Sequence, residues 1–164
     1  LNSDVNGSGV LDLSDAVYTL NFLFLGGPKP VPILGGPPPA CPPFERFHDN
    51  GDGTVTDRAT GRMWQKDTAP GTYTWWSADA YCNNLELAGH DDWRLPELRE
   101  LYSIVDVNRI DPAIDPVFGA FSVWYWSSTT VDDDIAWYVH FLDGFVYGVD
   151  EGVDSFVRAV RGGL

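Results

Sequence analysis

The chain has 164 residues, enough for one domain of ordinary size or for a small domain with an appended arm. Its formal net charge of −14 at pH 7 argues against nucleic acid and against anionic membrane surfaces as partners, because both are bound through clusters of Lys and Arg. No apolar run approaches the roughly 20 residues of a membrane span, so we expect no transmembrane helix.

The first predicted element is a calcium-binding loop in the sequence DVNGSGVLDLSD, residues 4–15. An EF-type loop needs oxygen ligands at positions 1, 3, 5, 9 and 12, a backbone carbonyl at position 7 and a glycine at position 6. Counted from the first aspartate, every position is filled, and the acidic charge of the chain also favours Ca²⁺ as the cofactor. The alternative is a polar turn that caps a helix. The predicted ligands are Asp4, Asn6, Ser8, the carbonyl of Val10, Asp12 and Asp15.

The loop resembles the dockerin type of calcium repeat. It has Asp15 at the last ligand position, where two-helix hands usually have Glu, and the run LSDAVYTLNFLFLGGP follows it. The resemblance implies an extracellular location. A dockerin has two such repeats, whereas this chain has one. Since the chain starts at Leu1 and not at Met, we also expect a processed or truncated form.

A helix is predicted behind the loop, from about Leu13 to Leu25, with Ser14 as its N-cap and a Gly-Gly-Pro end. Its apolar residues surround the helix and do not form one stripe, so it must be buried from several sides. We expect it to dock on the C-terminal domain, on a neighbouring copy or on a receptor. The residues predicted to form an assembly contact are Val17, Leu20, Phe22, Leu23, Phe24 and Leu25.

The composition predicts three parts of the chain. Residues 1–27 form the calcium loop and helix, residues 28–43 form a linker arm stiffened by prolines, and residues 44–164 form the larger domain. In the larger domain, short strands, tight turns and two helices predict an α+β fold. The first helix should run from Thr74 to Leu87, and the second should start near Pro96 and bury Leu98, Leu101, Tyr102 and Val105.

The late part of the chain predicts strands joined partly through Asp143-Gly144. Trp137, Val139 and Phe141 alternate with Tyr138 and His140, which is the period of a half-buried strand. Among the other large aromatics we expect a buried set and an exposed set. The buried set is Trp64, Trp93, Trp126 and Trp137, and the exposed set is Trp75, Trp76, Trp124 and Tyr125.

Residues from about 44 to 163 resemble the Lcl C-terminal domain family of bacterial secreted and surface proteins. The blocks that carry the resemblance are DNGDGTVTDRATGRMWQ, AYCNNLELAGHDDWRLPELRELYSIVD, YWSSTT, AWYVHFLDG and VRAVRGG. The resemblance implies a C-type-lectin-like fold without enzymatic activity, which often presents a ligand-binding or adhesive face. The binding face would then be formed by the last hairpins, Trp124 to Phe156.

The predicted binding face is acidic and aromatic. Because it has no Lys or Arg between Val131 and Asp154, we expect sulfated or other anionic glycans to be poor ligands. The three consecutive aspartates beside Trp137 would form a second cation site, a sugar platform or an ordinary solvated loop. The predicted ligand-binding residues are Trp124, Tyr125, Asp132, Asp133, Asp134, Tyr138 and Tyr147.

The two cysteines leave two alternatives open. In the family, the helix cysteine commonly pairs with a cysteine in the closing strand, where this chain has Ala159. Cys82 is therefore either a buried free thiol or the partner of Cys41 in a disulfide that would join the arm to the domain.

Two functions fit the sequence, and neither is enzymatic. The three histidines have no metal-like spacing, and no nucleophile motif or carboxylate pair stands out. The first function is calcium-dependent self-assembly through the arm, with a second copy or a polymer as partner and with filaments as one form. The alternative is an adhesion module that binds a glycan or a protein and is tethered to a surface scaffold.

Overall fold

The computed structural model describes residues 45–162. The calcium loop from Asp4 to Asp15, the assembly helix, the linker and Cys41 lie outside these residues. In chain order the elements are β1 (Phe47–Asp49), β2 (Thr54–Asp57), β3 (Arg62–Gln65), α1 (Trp75–Asn83), α2 (Leu98–Ser103), β4 (Trp124–Thr130), β5 (Ile135–His140), β6 (Val146–Asp150) and β7 (Val160–Arg161).

The strands form two antiparallel sheets. The first has four strands in the order β1-β2-β3-β7, and the second has three in the order β4-β5-β6. Two helices lie between the sheets in the chain, so the predicted α+β class is confirmed. That the arrangement is C-type-lectin-like stays a prediction. In the described part of the chain, neither helix is long and apolar enough to cross a membrane.

Helix α1 begins where the sequence predicts and ends earlier. The Thr74 hydroxyl accepts a hydrogen bond from the Ser77 N–H, as expected of an N-cap. The helix ends at Asn83 and not at Leu87, because the Asn84 side chain donates a hydrogen bond to the carbonyl of Ala80 at 2.7 Å. An asparagine that satisfies a terminal carbonyl in this way competes with continuation of the helix.

Helix α2 is only six residues long and begins with a capping box between Glu97 and Glu100. Leu101 is fully buried, as predicted, whereas Tyr102 is 46% exposed. The prediction that Tyr102 faces inward was wrong. Successive helical residues are about 100° apart, so the side chain next to the buried Leu101 is turned toward the edge of this short helix.

Two core clusters are separated by the second sheet. One contains Tyr125, Val139 and Phe141, and the other contains Trp126 and Ala136. Since successive side chains in a strand point to opposite faces, a sheet between two clusters is buried on both faces. The burial of Trp64, Trp93 and Trp126 and the 56% exposure of Trp76 confirm the predictions for these residues. Trp137 is half-buried and not in the core, because the residue opposite it on the edge strand β6 is Gly148, which has no side chain to cover it.

The segment that follows β6 connects the two sheets. Phe156 forms a bridge with Tyr125 of β4, and four residues later Val160 pairs with Trp64 of β3. The last strand therefore fixes the position of the second sheet relative to the first. The hairpins of β4, β5 and β6 are held on this frame.

Candidate functional site

One face of the second sheet carries a continuous row of aromatic side chains, here called the aromatic strip. Trp124 pairs with His140 across β4 and β5, and Tyr138 pairs with Tyr147 across β5 and β6. Directly opposed residues of neighbouring strands point to the same face. The His140 N–H donates to the Phe145 carbonyl at 2.8 Å, which places Phe145 next to His140. The strip consists of Trp124, Tyr138, His140, Phe145 and Tyr147.

The inner part of the strip is stacked and its outer part is exposed. The ring centroid of Trp124 lies 4.1 Å from that of Tyr138 and 4.3 Å from that of His140, with interplanar angles below 20°. These three side chains are half-buried, whereas Phe145 is 69% and Tyr147 64% exposed. Two large solvent-exposed aromatic rings next to the stacked rings form an apolar patch of the kind that marks binding surfaces.

The turn between β5 and β6 positions the exposed end of the strip. Gly144 has φ +81°, a left-handed conformation that glycine adopts at little cost. The Asp143 carboxylate accepts the Phe145 N–H at 3.2 Å and lies 3.2 Å from His140 Nδ1. Asp143 thus fixes both the turn and the orientation of the imidazole ring.

The polar tips of the strip suit hydrogen bonding to a ligand. Burial and the neighbouring Tyr147 raise the pKa of Tyr138, so its hydroxyl stays protonated and able to donate at neutral pH. The tyrosine rings combine an apolar body with a polar tip, as binding surfaces that stay partly wet require.

No Lys or Arg lies in the three strands that carry the strip. The chain has no Lys or Arg from Ile110 to Val157. In the rest of the described residues, five basic side chains are paired with carboxylates inside the domain. The pairs are Arg46–Asp57, Arg62–Glu100, Lys66–Asp49, Arg94–Glu100 and Arg161–Asp92. Arg58, Arg99 and Arg109 are exposed and belong to other segments. The strands that carry the strip therefore suit an uncharged or a cationic ligand.

The structure corrects the prediction that Tyr125 is an exposed ligand-binding residue. Its side chain is fully buried, and its hydroxyl lies 2.6 Å from Thr68 Oγ1 and accepts the Phe121 N–H at 3.0 Å. Tyr125 follows Trp124 directly, so it points to the opposite face of β4, where the first core cluster covers it.

The three consecutive aspartates lie at the other end of β5 from the strip. They form the β4–β5 turn before Ile135, whereas His140 ends the strand. At about 3.3 Å per residue, Ile135 lies roughly 16 Å from His140 and roughly 10 Å from Tyr138, so Asp132, Asp133 and Asp134 are distant from the end of the strip that carries His140 and Phe145. Asp132 accepts the N–H groups of Asp134 and Ile135 and so closes its own turn.

Two strip residues were not among the predicted ligand-binding residues. The spacing of His140 from the other histidines gives no sign of a site, although its alternation with Trp137 and Val139 places it in phase with Tyr138. No sequence pattern shows on which face of the sheet Phe145 lies, because this depends on the length of the β5–β6 turn. Counting the pairing across that turn is what identifies it.

A concave surface lies along α1, with a volume of about 480 Å³. Its lining residues are Tyr73, Ser77, Ala80, Tyr81, Asn84, Leu85 and Glu86. The Tyr81 hydroxyl accepts a hydrogen bond from Gln65, and the Tyr73 hydroxyl donates one to the carbonyl of Pro70. Because these polar tips are already satisfied within the domain, the groove is a weaker candidate than the strip.

The family comparison matches this domain. The model of the Lcl C-terminal domain family matches residues 53–161, which include both sheets from β2 onward and the whole aromatic strip. A search of curated proteins found no match.

Proposed function

The chain belongs to the Lcl C-terminal domain family, a family of the bacterial surface type, and we propose that its domain from residue 44 onward binds uncharged carbohydrate outside the cell through the aromatic strip. The observation that carries the proposal is the exposure of Phe145 and Tyr147 beside His140 and Tyr138, whose rings stack on Trp124. Flat aromatic faces bordered by hydroxyl groups offer a sugar both apolar contact and hydrogen bonds.

Charge defines the ligand class. An anionic glycan would approach a surface with no Lys or Arg in its strands and with Asp143 at its edge, so electrostatic repulsion would oppose it. An uncharged sugar does not meet this repulsion. The proposal is of a binding protein without a chemical step, in which Asp143 serves to orient the imidazole of His140.

A glycan array that contains neutral, cationic and sulfated sugars tests the proposal. We expect binding to neutral sugars and about tenfold weaker binding by Tyr147→Ala, equivalent to the loss of ~1.4 kcal/mol of binding free energy. The matched control is Tyr102→Ala, which removes another exposed tyrosine, on α2 and outside the strip. Binding confined to sulfated sugars, or equal binding by the two variants, would contradict the proposal.

We also propose that the N-terminal arm drives calcium-dependent self-assembly. Its support is the complete set of ligand positions from Asp4 to Asp15, followed by the segment from Val17 to Leu25, whose apolar residues occupy every side of a helix. A second copy that covers this segment would give a head-to-tail contact, and repetition of that contact gives an open fibre.

Light scattering across protein concentration, in millimolar Ca²⁺ and then with a chelator, tests the assembly. We expect large species that form with Ca²⁺, dissolve with chelator and are absent for the double variant Asp4→Ala/Asp15→Ala. The control is Asp91→Ala, an exposed aspartate in the larger domain. Monomers at every Ca²⁺ concentration would exclude assembly and leave the glycan-binding proposal unaffected.

A further inference from the structure

The imidazole of His140 is held in one orientation by contacts on its face and on one edge. Its face stacks on Trp124, with ring centroids 4.3 Å apart and an interplanar angle of 19°. Its Nδ1 lies 3.2 Å from Asp143 Oδ1, and the same oxygen accepts the Phe145 N–H at 3.2 Å. The stack restricts the tilt of the ring and the edge contact restricts its rotation in the plane. The position of the second ring nitrogen, Nε2, is therefore fixed as well.

The carboxylate of Asp143 determines which nitrogen of His140 carries the proton. An ionised carboxylate has only acceptor sites, so the Nδ1 that faces it must be an N–H donor. In a neutral imidazole one nitrogen donates and the other accepts, and the hydrogen bond at one nitrogen sets the role of the other. Nε2 of the neutral His140 ring is therefore a hydrogen-bond acceptor.

Nε2 of His140 has no hydrogen-bond partner among residues 45–162, where Nδ1 alone of the two ring nitrogens is bonded. The buried side-chain atoms without a partner in this part of the chain are Trp64 Nε1 and Arg158 Nε, so Nε2 is not one of them. The His140 side chain is 19% exposed. An acceptor that reaches the surface without a partner in the domain is available to a ligand.

The neighbours of His140 supply the other contacts that a sugar needs. The exposed ring of Phe145 belongs to the residue that pairs with His140 across the β5–β6 turn. Tyr138 stacks on the same Trp124 ring at 4.1 Å, and its hydroxyl can donate or accept. A sugar whose apolar face lies on Phe145 would thus meet one group that can donate and one that only accepts.

We infer that His140 determines which neutral sugar the aromatic strip binds, by accepting the hydrogen bond of one sugar hydroxyl at Nε2. The inference rests on the proposed carbohydrate binding. Asp143 is a positioning residue, because it acts through the imidazole. A sugar that lacks this hydroxyl leaves Nε2 without a donor and binds more weakly, since a polar group that is desolvated without a partner costs affinity.

Long-range ¹H–¹⁵N NMR of the full chain, labelled at histidine and kept in chelator, tests the acceptor without any ligand. The signals of His140 are those that disappear in His140→Phe. At about pH 8 we expect a neutral ring with its proton on Nδ1, and a mixture of the two tautomers in Asp143→Ala. An imidazolium or an Nε2–H tautomer at His140 in the parent would overturn the inference.

The second experiment titrates the parent with the methyl glycosides of glucose, galactose and mannose, and with analogues that carry fluorine in place of one hydroxyl at a time. Fluorine cannot donate a hydrogen bond. At one position we expect fluorine to weaken binding about fivefold to tenfold. His140→Phe, which keeps an aromatic ring on Trp124, should bind the unmodified sugar more weakly by the same factor and should not distinguish it from that fluorinated analogue. The control is His48→Phe, at an exposed position of β1, which should bind as the parent does.

The outcomes separate this inference from the proposed function. If the parent bound none of the neutral glycosides, carbohydrate binding itself would be wrong, and sugar recognition by His140 with it. If His140→Phe bound the glycosides as the parent does, or distinguished the fluorinated analogues as the parent does, only the role of His140 would be wrong, and carbohydrate binding by the strip would stand.

Discussion

The carboxylate of Glu100 accepts hydrogen bonds from both terminal nitrogens of the Arg94 guanidinium, at 2.6 and 2.7 Å. Arg62 Nε donates a third at 2.8 Å, and the Glu97 N–H donates a fourth at 2.9 Å. The Glu100 side chain is only 7% exposed. These bonds join the start of α2 to β3 and, through the pairing of Arg94 with Val160, to the closing strand.

Glu100→Gln should lower the free energy of unfolding and change its pH dependence. Burial alone would raise the pKa of Glu100, but the hydrogen bonds from Arg94 and Glu97 and the charge of Arg94 lower it from 4.5 to about 2. The stabilisation is therefore complete above pH 4.5 and is lost as the pH falls toward 2, and it amounts to about 3 kcal/mol.

Urea unfolding at pH 7, 5 and 3 tests this prediction. The free energy of unfolding of the parent should fall steeply between pH 5 and pH 3. That of Glu100→Gln should be lower at pH 7 and should fall less. Glu86→Gln, at an exposed position, should follow the parent. Parallel pH profiles for the parent and Glu100→Gln would show that the arginines do not act on this carboxylate.

Gly144 and Gly51 have similar backbone conformations but different surroundings. Comparing their substitutions therefore separates the cost of backbone strain from the cost of steric contact. Gly144 has φ +81° and Gly51 has φ +77°, but a Cβ at Gly144 would lie 2.7 Å from Val105 Cγ1, whereas none of the atoms around Gly51 is within 4 Å. Gly51→Ala should cost only the left-handed strain, about 1–2 kcal/mol. Gly144→Ala should cost about 1–3 kcal/mol more, because Val105 must move.

Denaturant unfolding of the two variants gives the difference directly. Gly144→Ala should also weaken glycan binding, since the turn that it displaces carries Phe145, and Gly51→Ala should not. Equal stability losses in the two variants would mean that Val105 yields without cost, and the turn would then not be rigid.

The sequence predicts those features that depend on local pattern. The Thr74 cap, the Asp143-Gly144 turn and the burial of Val139 and Phe141 follow from neighbouring residues, and the structure has each of them. The burial of Tyr125 could not be predicted in this way. Alternation gives two faces of β4, but only the tertiary packing shows that both faces are covered.

Which residues belong to the candidate site depends on how the strands pair. No local sequence pattern predicts that pairing. Aromatic and acidic residues occur together in the sequence between Trp124 and Glu151, and this proximity suggested one site. The antiparallel register places Trp124 opposite His140 and Asp150 opposite Ile135, at the two ends of β5. A hairpin thus separates groups that its sequence brings near each other, and only the register identifies the two surfaces.

Arg158 should be a large contributor to stability although no carboxylate among the described residues bonds to it. Its guanidinium is fully buried, donates to the carbonyls of Gln65, Lys66 and Gly119, and lies 5.0 Å from the ring centroid of Phe118. Burial lowers its pKa to about 10, so it remains charged at pH 7. Arg158→Met should cost about 3 kcal/mol or more, because it leaves buried carbonyl groups without their donor.

Chemical denaturation at pH 7 measures that loss. The control is Arg99→Met, at an exposed position of α2, which should change stability by less than about 0.5 kcal/mol. The stability loss of Arg158→Lys should lie between those of Arg158→Met and Arg99→Met, because a single ammonium group cannot reach all of the carbonyls that the planar guanidinium contacts. If Arg158→Met left the free energy of unfolding unchanged, water would have to replace the arginine as the donor to these carbonyls.

Cys82 should be chemically unreactive in the folded protein. It is fully buried on α1 beside Ala78 and has no disulfide partner among the described residues, whereas Cys41 lies outside them. Burial, and then the charge of Asp79, raise its pKa, and the thiolate is the reactive form. In a Cys41→Ser variant, the remaining thiol should react with a disulfide reagent about tenfold or more slowly in the native state than in denaturant. Equal rates would contradict the burial.

The closing strand offers a place to restore the cysteine pair that the family resemblance implies. Ala159 is fully buried in the same core cluster as Cys82, so a cysteine at position 159 would lie in the cluster that holds the helix thiol. Ala159→Cys in the Cys41→Ser background should oxidise to a form without titratable thiols. Because the bond would close a long loop, it should stabilise the domain by about 2–4 kcal/mol relative to the reduced form. Thiol titration after denaturation and urea unfolding of both redox forms measure these effects. If two titratable thiols remained after oxidation, the two side chains would lie in one cluster but too far apart to form a disulfide.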